Sequence, residues 1–134
     1  MATGTPGTTA RQLPYQMVHY LRKKITYADN GNTVDVGTIP AGALILKPLS
    51  GVAVATAFNG GATNTLDIGP STDAGTDLWA TALALGTTTF VPIDEAVSNL
   101  VAVDTKVQAK VVSTAGATAG EGYIVIAYVP NNDQ

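Results

Sequence analysis

The chain contains no cysteine. That excludes a disulfide framework, a thiolate nucleophile and a cysteine metal site, so stability has to come from packing or from association with other chains. It also suits maturation in a reducing cytoplasm. Charge is scarce: only 13% of residues are charged, where an ordinary soluble domain carries about 25%. Either the surface is rich in Thr, Ser, Asn and Ala, or much of it is covered in use, and the second reading suits an assembly protein. Basic residues are outnumbered 7 to 10, for a net charge of -3. A nucleic-acid partner is therefore not expected, because displacing counterions from phosphates takes a surplus of Lys and Arg. No stretch approaches the roughly 18 consecutive apolar residues of a membrane span. Residues 1–9 are small and polar without the apolar core of a secretory signal. Neither a membrane partner nor export is expected.

What remains fits one domain of 134 residues. Residues 1–15 are mostly Gly, Thr, Ala and Pro without a period and read as a flexible N-terminal arm, leaving a single β-sandwich domain over residues 16–134. Four of the seven basic residues, Arg11, Arg22, Lys23 and Lys24, lie early, and no acid precedes Asp29. This asymmetry is the mark of a docking segment, although basic runs are also common on solvated faces.

Short apolar segments separated by Gly, Pro and Asn fill the rest. Met17, His19, Leu21, Ile25 and Tyr27 alternate up to Asp29-Asn30-Gly31, which reads as a hairpin turn into a strand carrying Val34 and Val36. Ile39-Pro40-Ala41-Gly42 reads as a turn with Pro40 second and Gly42 fourth. Residues 43–49 and 51–58 read as buried strands with a bulge at Ser50-Gly51. Residues 63–68 alternate, residues 78–85 lean toward a short helix on their Ala and Leu content, and residues 87–93 return to strand composition. Residues 100–103 read as a further short strand. Val107, Ala109 and Val111 alternate with Lys106, Gln108 and Lys110 in a half-buried pattern. Residues 123–129 are apolar on both faces, as in a central strand or one beneath an interface. About eight strands make an all-β, two-sheet antiparallel sandwich, with a jelly roll preferred and an immunoglobulin-like sandwich as the alternative.

Catalytic chemistry finds little support. His19 is the sole histidine, sits mid-strand, and has no Gly-x-Ser-x-Gly elbow to serve. Asp67, Asp73 and Asp77 cluster near one loop, but without the spacing of a calcium loop, and Asp is also a turn residue. Asp94 and Glu95 are adjacent and would point to opposite faces of a strand. The glycine pairs lack the lysine and helix of a phosphate loop. No enzyme activity, metal or cofactor is expected. An aromatic row including Trp79, with Tyr15, Tyr20, Tyr27, Tyr123 and Tyr128 as further candidates, would suit a glycan-binding or fibre-type module, the rival class.

Several segments carry a resemblance: Ile39-Pro40-Ala41-Gly42-Ala43, Thr56-Ala57-Phe58-Asn59, Thr65-Leu66-Asp67-Ile68-Gly69, and the closing Gly122-Tyr123-Ile124-Val125-Ile126-Ala127-Tyr128-Val129-Pro130. Over roughly residues 29–130 the chain resembles the jelly-roll cement (decoration) proteins of tailed-phage capsids, such as that of the short-tailed Bordetella phage. The resemblance implies a virion protein on the outer capsid surface, assembled in the host cytoplasm, that bridges major capsid subunits and pairs with itself as a homodimer or homotrimer. It supplies no catalytic residues. From the residues themselves, Arg11, Arg22, Lys23 and Lys24 are the expected capsid-binding charges. Tyr123, Val125, Ala127 and Val129 are the expected self-association row, because a second apolar face needs a cover.

Overall fold

The computed structural model describes residues 17–73, 75–95 and 100–130. The segment expected to be an N-terminal arm, with Arg11, lies outside the described residues. Within them the chain forms nine strands: β1 (His19–Thr26), β2 (Thr33–Ile39), β3 (Leu44–Ile45), β4 (Gly51–Thr56), β5 (Asn64–Pro70), β6 (Ala80–Ala84), β7 (Phe90–Pro92), β8 (Thr105–Ser113) and β9 (Glu121–Val129). One sheet has the order β1-β9-β4-β7 with β3 also on β9, the other β2-β8-β5-β6, and every strand pair is antiparallel.

The pairings are nested. β1 pairs with β9, β2 with β8, β4 with β7 and β5 with β6. This is a long antiparallel ribbon rolled on itself so that successive pairs alternate between sheets, which is the jelly roll and not the immunoglobulin arrangement. Period-two alternation turns one face of each strand inward. Val107, Ala109 and Val111 of β8 meet Leu66 and Ile68 of β5 from within one sheet, and Val52, Ile124 and Ile126 face them from the other. Trp79, 5% exposed, belongs to the same core.

Asn30-Gly31 is a corner and not a hairpin. β1 and β2 lie in different sheets, because both must present apolar residues to one core from opposite sides. The corner is a 3-10 turn at Tyr27–Asp29 in which Asp29 accepts the Thr26 N–H at 2.9 Å. Asn30 then accepts the Ser113 N–H at 2.8 Å, and the N–H of Gly31, at φ +79°, reaches Val111 O at 2.9 Å. The next turn is one place later than expected. The N–H of Ala43 bonds to Pro40 O, so Gly42 is the third residue of the turn, where its φ of +82° suits glycine.

Residues 43–49 are strand only at Leu44–Ile45 and then coil through a 3-10 turn at Lys47–Leu49. No bulge is formed at Ser50-Gly51. Ser50 is fully buried, and its hydroxyl donates to Leu46 O at 2.9 Å and accepts the Ala127 N–H at 3.0 Å, tying the turn to β9. Residues 100–103 contribute a single bridge, Leu44 to Leu100, instead of a strand.

The helix expected in residues 78–85 is strand β6. Propensity yields here to a sheet position, since Ala80, Leu83 and Leu85 are needed in the core. The pattern accommodates an irregularity: Ala82 has a φ of +54°, and its N–H bonds to the Asp67 carboxylate at 2.7 Å, where the β5–β6 register shifts. Asp73 holds the preceding loop, accepting the N–H groups of Gly75, Asp77 and Leu78 at 3.3, 2.8 and 2.9 Å. These bonds, the Asp77 N–H foremost, pull the Asp73 pKa below its ordinary value.

Gly51 sits where β4 and β7 approach closely. An ideal Cβ there would lie 2.2 Å from Val91 O and 2.7 Å from the Pro92 Cα, both backbone atoms. Gly51→Ala is expected to force the strands apart and lower unfolding stability by about 1–3 kcal/mol. Ile124→Ala, at a fully buried position, should cost ~2–5 kcal/mol. Urea unfolding followed by tryptophan fluorescence measures both, and an unchanged midpoint for Gly51→Ala would show that β7 is not held against β4.

Candidate interaction face

The two sheets have unlike outer faces. On the β2-β8-β5-β6 sheet the outward positions are mostly polar, with Lys110 exposed and Val112 half-buried, and one group of them is internally matched. Lys106 pairs with Asp35 at 3.1 Å, and Gln108 donates to Asp35 at 2.9 Å, so that Asp35 titrates below the ordinary carboxylate value, Gln108 being the larger cause. The β1-β9-β4-β7 sheet differs, because β9 is apolar on its outward side too.

Register places the outward residues. Lys24 lies opposite Tyr123, Arg22 opposite Val125 and Tyr20 opposite Ala127 across β1–β9, while Ala53 flanks Tyr123 from β4 and Phe90 flanks Ala53 from β7. Directly opposed residues of an antiparallel pair share a face. The expected docking charges Arg22 and Lys24 and the expected self-association row are therefore one surface. Lys23 is not part of it. Opposite Ile124, it points to the inner side of β1, escapes burial because β1 is an edge strand, and helps to lower the Asp35 pKa.

At one end of the face the Arg22 guanidinium lies 4.4 Å from the centre of the Tyr123 ring. The Tyr123 hydroxyl donates to Glu121 at 2.7 Å, and Lys24 Nζ reaches the same oxygen at 3.3 Å. Tyr123, then Lys24, holds Glu121 below the usual carboxylate value, and the Tyr123 hydroxyl is raised by the same bond. Glu121 is the residue the sequence reading missed. Lying two positions before Tyr123 on one face of a strand was the available signal.

At the other end the row turns apolar. Val129 lies opposite Leu44, and Leu44 bridges Leu100. Leu44 and Leu100 are 43% and 61% exposed. Beside Leu100 is a cavity of about 310 Å³ lined by Leu78, Trp79, Val103 and Asp104 among others. Both edges of β9 are already hydrogen-bonded, by β1 on one side and β4 and β3 on the other, so no further strand can add to it. Ala127 is 4% exposed, which leaves Tyr123, Val125 and Val129 as its half-buried members.

Other candidates are placed by their partners. Asp94 accepts the Thr81 N–H at 3.2 Å, Asp67 and Asp73 hold backbone as described, and no cluster of three acid or histidine side chains suited to a metal occurs among the described residues. His19 packs 5.9 Å from the Tyr128 ring. Trp79, buried in the core, is not available to an exposed aromatic row.

No protein-family model matches the chain, and no curated protein matches it. Its fold is that of a jelly-roll sandwich found in phage capsid structures. A chain of the cyanophage Pam1 capsid asymmetric unit is similar at a TM-score of 0.65 and 17% identity, over 97% of both chains. A chain of the acidic stable capsid structure of Helicobacter pylori bacteriophage KHP30 is similar at 0.66 and 14% identity, over 83% of this chain and 86% of that one. Nothing in these comparisons supports the narrower likeness to the Bordetella phage protein.

The Glu121–Tyr123 bond can be read in solution. Glu121 has a depressed folded-state pKa, so its contribution to stability is present above the unfolded pKa and is lost as pH falls through the folded one. Tyr123 is raised, so its contribution is complete below its unfolded pKa and is lost as pH rises through the folded one. A carboxyl-carbon NMR titration should find Glu121 below 4.5, its ordinary value, and Tyr123→Phe should move it upward. A Glu121 titration unmoved by that substitution would mean the bond is absent in water.

Proposed function

We propose that this chain is a structural protein of a phage head: it binds the outside of the capsid, bridges major capsid subunits and associates with its own copies. The observation that carries the reading is the outer face of the β1-β9-β4-β7 sheet. Cations, tyrosines and aliphatic residues are joined there on rigid strands, whereas the outward side of the opposite sheet is mostly polar. Aromatic and Arg side chains around an apolar centre are the composition of a protein-binding surface. Similarity of fold to chains in two phage capsid structures supports the setting. Multivalent contact supplies a mechanism for reinforcement, since a protein that grips two subunits stabilises their joint through the effective concentration each contact lends the other. The fibre-type alternative is weakened by the burial of Trp79, the aromatic residue on which it leaned.

Arg22 and Lys24 act in this reading as docking charges, with Arg11 on the arm and Lys23 as a neighbour turned away from the face. Co-sedimentation with heads that lack the protein is the test. Saturable binding at a fixed copy number is expected, and Arg22→Glu with Lys24→Glu should weaken it by about tenfold or more, whereas Lys23→Glu should change it by less than about twofold. Undiminished binding by the double variant would remove the basic cluster from the interface, and failure of the unaltered protein to bind heads would reject the capsid role.

A further inference from the structure

The strands at the margins of the two sheets differ in how open their backbones are. β7 is 3 residues long, and β3 is 2 residues long and bridged to Leu100 on its far side. β2 is interrupted by a register shift between Asp35 and Gly37. β6 is irregular and partly covered, since the Thr81 N–H bonds to Asp94 and Trp79 O accepts the Glu95 N–H. β1 differs from all of these. It runs 8 residues against β9 without a shift, and no described strand pairs with its outer side. A long, regular edge of this kind is a template for another strand.

The ladder gives the direction of each β1 backbone group. The Tyr27 N–H bonds to Gly120 O at 3.2 Å, and these residues continue the β1–β9 register one step past Thr26 and Glu121. Bonded and non-bonded pairs alternate along an antiparallel ladder. Ile25, Lys23 and Leu21 therefore turn their N–H and C=O groups toward β9, and Thr26, Lys24, Arg22 and Tyr20 turn theirs to the open edge. Thr26 agrees, because its N–H goes to the Asp29 carboxylate at 2.9 Å and not to β9. Beyond that covered position, the backbone groups of Lys24, Arg22 and Tyr20 meet no partner among the described residues. The cationic heads leave this edge clear. Arg22 lies over the Tyr123 ring and Lys24 reaches Glu121, both residues of β9, and Arg22 has no ion-pair partner among the described residues.

A second copy is a poor occupant of the edge. Two-fold antiparallel pairing of β1 with β1 about Lys23 would set Arg22 against Lys24 and Lys23 against itself, and like charges directly opposed destabilise a strand pair. Acids two residues apart on an extended segment are the complement, since Arg22 and Lys24 stand two apart on one face. We infer that the β1 edge accepts an extended segment of a capsid subunit as an added antiparallel strand, with Asp or Glu opposite Arg22 and Lys24. Main-chain bonds to Tyr20, Arg22 and Lys24 hold the segment, and the paired acids set its register. Lys23 projects to the other side of the sheet and meets neither acid. This rests on the head-binding reading above and states how that contact is made.

Proline at residue 20 separates the backbone from the side chain. Tyr20→Pro removes an N–H that the fold does not use and places a ring carbon in the path of an incoming strand, whereas Tyr20→Ala removes the same side chain and keeps the N–H. In co-sedimentation with heads that lack the protein, Tyr20→Pro should bind about tenfold or more weakly than Tyr20→Ala. Equal binding by the two would overturn strand addition and leave the head-binding reading standing, while no binding by the unaltered protein would reject both. Hydrogen exchange of the unaltered protein, read residue by residue, does not depend on the proline variant folding. The amides of Tyr20, Arg22 and Lys24 should exchange about tenfold or more faster than those of Leu21, Lys23 and Ile25 in the free protein, and should slow by a similar factor on heads. Exchange that stays fast on saturated heads would overturn the added strand. Carbodiimide treatment of decorated heads should couple Lys24 to a capsid carboxylate that has a second acid two residues away, and absence of that product would overturn the acidic partner.

Discussion

The double pairing of β9 is the constraint on which the rest of the molecule depends. One edge of the strand pairs with β1 from Glu121 to Tyr128, and the other with β4 and then with β3. With both edges occupied, only its faces remain variable. The inner face, Ile124 and Ile126, closes the core against the second sheet. Ser50 joins this scheme, because the Ala127 N–H would lack a partner where β4 gives way to β3 and the hydroxyl supplies one. The outer face is thereby held on a rigid support, as a surface for recognition requires.

From this follows a division of labour between the sheets. Asp35, Lys106 and Gln108 satisfy one another on the second sheet. On the first sheet, Arg22 rests on the Tyr123 ring and Lys24 shares Glu121 with the Tyr123 hydroxyl. These side chains are held in place by one another, and in the proposed docking role that prearrangement reduces the entropy lost on binding.

Fold class was legible in the sequence because alternation and turn residues recur along the whole chain, and residues 105–113 show it most cleanly. Pairing was less legible. Asn30-Gly31 satisfies the chemistry of a hairpin, yet the same positive φ serves a corner between sheets, and only the location of the partner strands distinguishes the two. Residues 80–84 were misread because Ala and Leu favour helices, while the Asp67 carboxylate that permits the irregular strand lies 15 positions before Ala82. At the candidate face, strand parity already separates Lys23 from Arg22 and Lys24. What parity could not reveal is that Leu44 and Leu100, far apart in sequence, complete the row with Val129.

Nested pairing also governs when the molecule can come into being. The innermost pair, β5 with β6, joins neighbours along the chain, but each successive pair encloses a longer loop, and β1 with β9 encloses nearly all the described chain. Contacts of such long separation are slow to form, since the entropy of closing the loop is lost before the ladder repays it. On a ribosome, β1 has to wait, unpaired, until β9 has emerged. Its lysines and arginine then have a second value: they keep an open strand edge soluble during that wait.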